Sequence, residues 1–174
     1  MKYIIASDFH GNTAAYERFK EILDREKPDK AIFLGDFFVG GDVTSVNNVL
    51  KKIFTPLIAV RGNCDGISDF SELDAGLRDR LFYEEILGKR VCFTHGDLYG
   101  RGAVPPVIGE GDVIFFGHYH VPEISKSDGI WRICVGSAGR PRGYLPASYC
   151  VFDGGKVKIC AMDTDETITE AELK

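Results

Sequence analysis

The stretch Lys30-Ala31-Ile32-Phe33-Leu34-Gly35-Asp36 is a short apolar run that stops at a glycine and a carboxylate. An apolar run of this length, with branched and aromatic residues, predicts a buried β-strand. Gly35 then gives the backbone the freedom to turn directly after the strand. We therefore expect the side chain of Asp36 to lie at the carboxyl end of this strand.

Four other apolar runs follow the same rule, and each leads into residues that can ligate a metal. They are residues 3–6 before Asp8 and His10, residues 57–60 before Asn63, residues 91–94 before His95, and residues 113–116 before His118 and His120. A single loop histidine is more often an ordinary surface residue, but that explanation weakens because all four histidines of the chain follow a predicted strand. Carboxylate, amide and imidazole donors at rigid strand ends suit divalent transition metals.

Composition narrows the class of protein. With 174 residues, 44% of them hydrophobic, the chain fits a single domain over residues 1–174. The net charge of −5 argues against a general nucleic-acid or anionic-membrane surface, because both need clustered Lys and Arg. Five cysteines without a Cys-x-x-Cys pair favour reduced thiols, and no apolar run approaches the ~20 residues of a membrane span. We expect a soluble cytoplasmic protein, either a monomer or a homo-oligomer.

The first half of the chain predicts a βαβ unit. Thr13 is expected to cap a helix that ends before Pro28, so that residues 30–34 form a neighbouring parallel strand. A loop at residues 40–42 precedes a second helix predicted over residues 44–54, and residues 70–77 are predicted as a short helix.

The second half predicts mainly β structure. Three hairpins are expected, formed by residues 81–86 with 90–94, 123–126 with 131–135, and 148–152 with 157–162. Residues 100–111 contain glycines and a Pro-Pro pair and are predicted as a loop. The acidic end, residues 165–174, is predicted as a frayed or solvated tail.

The ligand-capable residues form five motifs, D-x-H, G-D, G-N, H-G and G-H-x-H, in that order at predicted strand ends. This ordered set closely resembles the calcineurin-like metallophosphoesterase superfamily. Within it, Gly62-Asn63-Cys64-Asp65 and the later Gly-Ser-x-x-x-Pro-Arg loop resemble the YfcE-type phosphodiesterases. The resemblance runs over residues 3–152 and implies an α+β fold, a four-layer α/β/β/α sandwich of two mixed β-sheets flanked by helices.

The resemblance also implies a metal-dependent phosphodiesterase in which a hydroxide at a binuclear metal centre attacks a small phosphodiester. It places Asp8, His10 and His120 on one metal, Asn63, His95 and His118 on the other, and Asp36 between them as the bridge. The expected cofactors are two divalent ions, with Mn²⁺ favoured by the oxygen and imidazole donors and Ni²⁺, Fe, Co²⁺ or Zn²⁺ chemically suitable. The alternatives are a phosphomonoesterase or nucleotide hydrolase on the same centre, or a non-catalytic scaffold that resembles a retromer subunit.

The expected catalytic residues are Asn63, Cys64 and His95. The expected substrate contacts are Cys64, Asn12, which lies next to the first ligands near a helix amino terminus, and Arg142 in the glycine-rich loop. Cys64 stands where many superfamily members have a histidine, and an uncharged thiol cannot replace an imidazolium. A small apolar filler is the alternative role for Cys64. Asn12 either helps to hold phosphate or belongs to a helix-terminal turn. Arg140 and Arg142 either bind phosphate or are only solvent-exposed residues of a loop, and the second interpretation is slightly favoured.

Overall fold

The computed structural model describes residues 1–38, 43–66 and 76–174. The described residues form two β-sheets and two helices. In chain order the elements are β1 (Lys2–Ala6), α1 (Thr13–Glu26), β2 (Lys30–Phe33), α2 (Val43–Leu50), β3 (Leu57–Val60), β4 (Gly76–Arg78), β5 (Leu81–Ile86), β6 (Lys89–Thr94), β7 (Val113–Phe116), β8 (Pro122–Ser127), β9 (Ile130–Val135), β10 (Ser148–Asp153), β11 (Lys156–Ala161) and β12 (Thr167–Glu172). No helix within these ranges is long and apolar enough to span a membrane.

Both sheets are mixed, which confirms the predicted fold class. The seven-stranded sheet has the order β12-β11-β10-β1-β2-β3-β4, with β1 to β4 parallel and the other pairs antiparallel. The five-stranded sheet has the order β5-β6-β7-β9-β8, and its central strands β6, β7 and β9 are parallel. The carboxyl ends of parallel neighbours meet at one edge of a sheet, so each sheet gathers its post-strand loops there.

An apolar layer between the sheets holds them together. Tyr3, Phe93, Phe115 and Phe152 are each at most 3% exposed, and the rings of Phe93 and Phe115 stack with centroids 5.4 Å apart. Burial of a side chain of this size contributes about 1.5–3 kcal/mol. Helices α1 and α2 cover the outer face of the seven-stranded sheet through a second apolar cluster. The inner faces of the two sheets are therefore fixed against each other, and this packing also fixes the positions at which the loops leave the strand ends.

Local details differ from prediction at the helices. Asn12, not Thr13, caps helix α1, because its side chain accepts a hydrogen bond from the Ala15 amide at 3.1 Å. Helix α2 ends at Leu50, four residues earlier than predicted. The predicted loop at residues 40–42 and most of the predicted helix at residues 70–77 lie outside the described residues. The described end of that segment, Gly76–Arg78, is strand β4.

The prediction of a frayed tail over residues 165–174 is wrong. Strand β12 pairs antiparallel with β11 and forms the edge of the seven-stranded sheet. Leu173 is only 7% exposed and joins the layer between the sheets. Only Ile168 and Ala171 are apolar within the strand, which is too few for a recognisable alternation. The strand is stabilised instead by its backbone pairing with β11.

Candidate metal centre

The predicted ligands come together where the carboxyl ends of strands from both sheets meet. Asp8 and His10 follow β1, Asp36 follows β2, Asn63 follows β3, His95 follows β6, and His118 and His120 follow β7. Side chains from opposite sheets therefore touch. The Nε2 atoms of His10 and His120, which are 110 residues apart, lie 3.2 Å from each other.

Asp8, His10 and His120 form the first group of candidate ligands. Asp8 Oδ1 lies 3.2 Å from His120 Nε2 and 3.8 Å from His10 Nε2, and one ligand atom from each residue fits within 4.8 Å of the others. Asp8 Oδ1 is buried and has no hydrogen-bond partner in the described part of the chain. A buried carboxylate oxygen without a partner is costly unless a cation satisfies it. This oxygen and the two imidazoles fit a divalent ion.

Asn63, His95 and His118 form the second group. Asn63 Oδ1 lies 2.9 Å from His95 Nε2 and 3.0 Å from His118 Nδ1. Asp36 stands between the groups, since its Oδ2 is 3.7 Å from His10 Nε2 and its Oδ1 is 3.5 Å from His95 Nε2. The two oxygens of one carboxylate thus face one group each, which is the arrangement expected of a bridging ligand.

Backbone carbonyls orient two of the imidazole rings. His95 Nδ1 lies 2.7 Å from the Leu34 carbonyl oxygen, and His120 Nδ1 lies 2.5 Å from the Arg140 carbonyl oxygen. A carbonyl can only accept, so each Nδ1 carries the proton and each Nε2 presents its lone pair to the site. This is the usual way in which a protein fixes a metal-ligating histidine.

Asp65 supports the site from behind, a role that sequence reasoning missed. This carboxylate is 5% exposed and accepts hydrogen bonds from the backbone amides of Asp36 and Phe37 at 2.7 Å and of Gly62 at 2.8 Å. It therefore joins the loop that carries Asp36 to the loop that carries Asn63. The signal available in the sequence was its position at the end of Gly62-Asn63-Cys64-Asp65.

Five of the seven candidate ligands adopt left-handed backbone conformations. The φ angles are 56° at Asp8, 48° at His10, 57° at Asp36, 64° at His118 and 59° at His120. Aspartate and histidine tolerate this region better than most residues, but it still costs about 1–2 kcal/mol at each position. These backbone conformations direct the five side chains toward the candidate metal centre.

Glycines beside the ligands permit their close approach. A Cβ atom at Gly62 would lie 2.2 Å from Asp36 Oδ1, and one at Gly117 would lie 2.4 Å from Asp8 Oδ2. Both distances are far below van der Waals contact, so any side chain there would displace a carboxylate. The glycines in G-N and G-H-x-H are thus required by the space around Asp36 and Asp8.

Burial and neighbouring charges shift the pKa values of four of the candidate ligands. Burial lowers the pKa of His10 and of His118, and His95 adds to the effect at His118. Both imidazoles are therefore neutral at pH 7, the form that ligates a metal. At His120 burial also opposes the charged form, but Asp8 outweighs it and raises the pKa of His120. Burial opposes the Asp8 carboxylate as well, yet its contact with His120 lowers the pKa of Asp8.

A pocket of about 350 Å³ opens over the two groups. Cys64 and Arg142 line it, together with Arg140 and Pro141. Partial burial and the nearby Asp36 raise the pKa of Cys64 to about 11, so its thiol stays uncharged at neutral pH. Asn12 does not line this pocket. Its amide donates to the Gly139 carbonyl at 3.1 Å while its oxygen caps helix α1.

Two mixed sheets with a candidate divalent-metal site where their strand ends meet are the arrangement expected of a metal-dependent phosphoesterase. The chain belongs to the calcineurin-like phosphoesterase superfamily, whose domain model matches residues 1–156. It is 28% identical, over an alignment of 184 positions, to phosphodiesterase YfcE of Escherichia coli K12, and the alignment covers 99% of this chain and 98% of that protein. The solved structure of YfcE, a phosphoesterase from E. coli, matches with a TM-score of 0.92 and covers 100% of both chains.

A second solved structure shares the fold at lower identity. Vps29 of Entamoeba histolytica, complexed with zinc, matches with a TM-score of 0.70 at 13% identity and covers 100% of both chains. At this identity the likeness concerns the fold alone. The predicted family, fold and phosphoesterase class are thus confirmed.

Proposed function

We propose that this protein is a phosphodiesterase that holds two divalent ions and hydrolyses small phosphodiesters. The observation that carries the proposal is Asp36, whose two carboxylate oxygens face two separate groups of ligands. The similarity to phosphodiesterase YfcE over nearly the full length of both chains supports the choice of diesters. The scaffold alternative is not favoured, because all seven ligand positions carry residues that can bind metal.

Asp8, His10 and His120 would hold one ion, and Asn63, His95 and His118 the other, with Asp36 shared. The chemistry that two such ions supply is Lewis acidity toward phosphoryl oxygens and activation of water near neutral pH. The protein contributes position: the carbonyls at His95 and His120 fix the rings, and the Cys64 amide, which donates to Asp36 Oδ1 at 3.0 Å, helps to fix the bridging carboxylate.

We propose Mn²⁺ as the metal, because oxygen and neutral imidazole donors without thiolate match its preference. We also propose a cytoplasmic location, which the five free cysteines support. Elemental analysis of protein purified without added metal tests the metal, and calorimetry with Mn²⁺ tests the number of ions. Uptake of two equivalents per chain is expected. Saturation below two would rule out the binuclear assignment.

Rates on matched aryl mono- and diesters test the substrate class. We expect kcat/KM to be higher for the diester, because the neutral Cys64 thiol offers no cationic donor to a dianionic monoester. A higher kcat/KM for the monoester would instead favour the phosphomonoesterase alternative. Addition of a chelator should abolish both activities.

The role of Cys64 can be tested by Cys64→His. An imidazole at this position would supply a cationic donor and a proton for the leaving oxygen, and such general-acid assistance is typically worth ~10²–10⁴-fold. We expect the ratio of monoesterase to diesterase activity to rise about tenfold or more, with two metals still bound. Cys64→Ser is the matched control, because it keeps a small uncharged group. An unchanged ratio in Cys64→His with intact metal content would make Cys64 a structural filler.

A further inference from the structure

The arginines of this protein differ in whether they have a partner. Arg132 is buried and donates to the Gly100 carbonyl. Six others each pair with a carboxylate, namely Arg18, Arg25, Arg61, Arg80, Arg90 and Arg101. Among the arginines whose side chains the structure describes, only Arg140 and Arg142 have guanidinium groups without an ion pair or hydrogen bond to another described residue, and both line the pocket over the metal site.

The segment that carries these arginines, residues 137–143, is fastened to the metal ligands. Ser137 Oγ donates to the Asp8 carbonyl at 2.8 Å and accepts from the Arg140 amide at 2.8 Å. The Arg140 carbonyl is the group that orients His120. Pro141 restricts the backbone between the two arginines. Their Cα positions are therefore fixed relative to the first ligand group, although the side chains are exposed.

Charge balance indicates that the scissile phosphate does not need these arginines. Two divalent ions carry a charge of about +4, and the two carboxylates of the site, Asp8 and Asp36, carry −2. The remainder of about +2 balances the single negative charge of a diester together with that of a hydroxide nucleophile. The pocket would then present two further positive charges at the His120 side and an uncharged thiol, Cys64, beside Asn63. The chain as a whole has a net charge of −5, so the positive charge on this side of the pocket does not simply reflect the overall composition.

We propose that Arg140 and Arg142 form a subsite for a second anionic group, a phosphate or a carboxylate, on the ester substituent that the substrate carries beside its scissile phosphodiester. This inference rests on the proposed function. It narrows the substrate class to phosphodiesters with at least two negative charges. Arginine suits this role because its planar donors match the oxygens of both groups.

The test uses three diesters with the same 4-nitrophenyl leaving group. They differ only in the second ester group, which is ethyl, 2-carboxyethyl or 2-phosphonoethyl. We expect kcat/KM of the wild type to be higher for the two charged esters, by about tenfold for each arginine that contacts the extra group. The double variant Arg140→Gln/Arg142→Gln should lose this preference, so that its kcat/KM for the charged esters falls to that for the ethyl ester. Arg90→Gln, which removes an exposed arginine at the amino end of β6, is the matched control and should keep the preference.

A binding measurement separates this inference from the proposed activity. Calorimetry with the Mn²⁺-loaded protein compares ethyl methylphosphonate with 2-carboxyethyl methylphosphonate, neither of which carries the aryl leaving group. Tighter binding of the carboxyethyl compound, lost in the double variant, supports the subsite even if no diester is hydrolysed. Equal affinities overturn it. An equal fall of all three rates in the double variant also overturns it, because the arginines would then contact the scissile phosphate itself.

Discussion

At the residue scale, Asp65 illustrates how a side chain that touches no substrate can decide the geometry of the site. Its three backbone donors belong to two loops, and one of them is the amide of Asp36, which adopts a left-handed φ of 57°. Backbone in that region persists only where its surroundings hold it. The carboxylate of Asp65 is thus a positioning group for Asp36, the candidate bridging ligand.

Replacement of Asp65 should weaken the site through Asp36. Asp65→Ala leaves three buried amides without an acceptor and is expected to destabilise the fold by about 3 kcal/mol. Asp65→Asn keeps one acceptor oxygen and should fold, but with a Kd for Mn²⁺ raised about tenfold or more. Calorimetry and urea unfolding measure the two effects. Asp153→Asn, at an exposed strand end, should change neither quantity, and wild-type metal affinity in Asp65→Asn would show that Asp65 is only structural.

The clustering of the candidate metal ligands could be predicted from sequence because the rule behind it is local. Each candidate ligand follows an apolar run, and the end of a strand fixes the position of the residues that come directly after it. Asp65 obeys no such rule, since the Asp36 amide that it binds lies 29 residues away in the chain. That Arg140 has no carboxylate partner among the described residues was equally inaccessible, because it depends on which carboxylates the fold places near each arginine.

At the element scale, strand β12 is held by one cluster of side chains at the turn before it. Asp165 accepts two hydrogen bonds from Arg25 at 2.8 Å each, one from Arg18 at 3.0 Å and one from Tyr149 at 3.0 Å. This bidentate geometry ties the last hairpin to helix α1. The cluster joins residues more than 100 positions apart, so no local pattern predicted that the acidic end would become a strand.

Removal of this charge should destabilise the C-terminal hairpin. Asp165→Asn is expected to lower the free energy of unfolding by about 1–2 kcal/mol at pH 7, less than a buried pair would because Asp165 is one-third exposed. Burial opposes its carboxylate slightly, but Arg25 outweighs this and lowers the pKa of Asp165. The stabilisation is therefore present above about pH 4 and disappears as pH falls through the folded-state pKa.

Urea unfolding of wild type and Asp165→Asn from pH 3 to pH 7 measures this dependence. The difference between them should be constant above pH 5 and shrink toward zero in acid. Asp128→Asn is the matched control, because Asp128 is also a turn aspartate with positive φ but lacks an arginine partner among the described residues. A difference that is as large at pH 3 as at pH 5 would assign the effect to turn geometry and not to charge.

At the scale of the whole molecule, the candidate metal centre joins the two sheets. The first ligand group takes Asp8 and His10 from one sheet and His120 from the other, and the second takes Asn63 from one and His95 and His118 from the other. Bound ions would therefore stabilise the packing of the sheets as well as the loops.

Removal of metal should lower the thermal stability of the entire domain. A ligand at about 100 times its Kd stabilises the native state by about 2.7 kcal/mol, which in a chain of this size shifts Tm by about 5–10 °C. Calorimetric scans with EDTA, and again after Mn²⁺ is restored, measure the shift. In Asp36→Asn, which removes the charge shared by both groups, the scans should nearly coincide. A wild-type Tm that is indifferent to EDTA would contradict a metal-bridged pair of sheets.

The 110 residues between His10 and His120 also determine when metal can act during folding. We expect the two rings to meet only after both sheets have formed and docked, so that the ion has no complete site in the transition state. It should slow unfolding while it leaves the folding rate unchanged. Stopped-flow measurements with and without Mn²⁺ decide this, and a faster folding limb would disprove it. A loaded chain would then resist proteases through its slow opening, and loss of metal would be the event that starts its turnover.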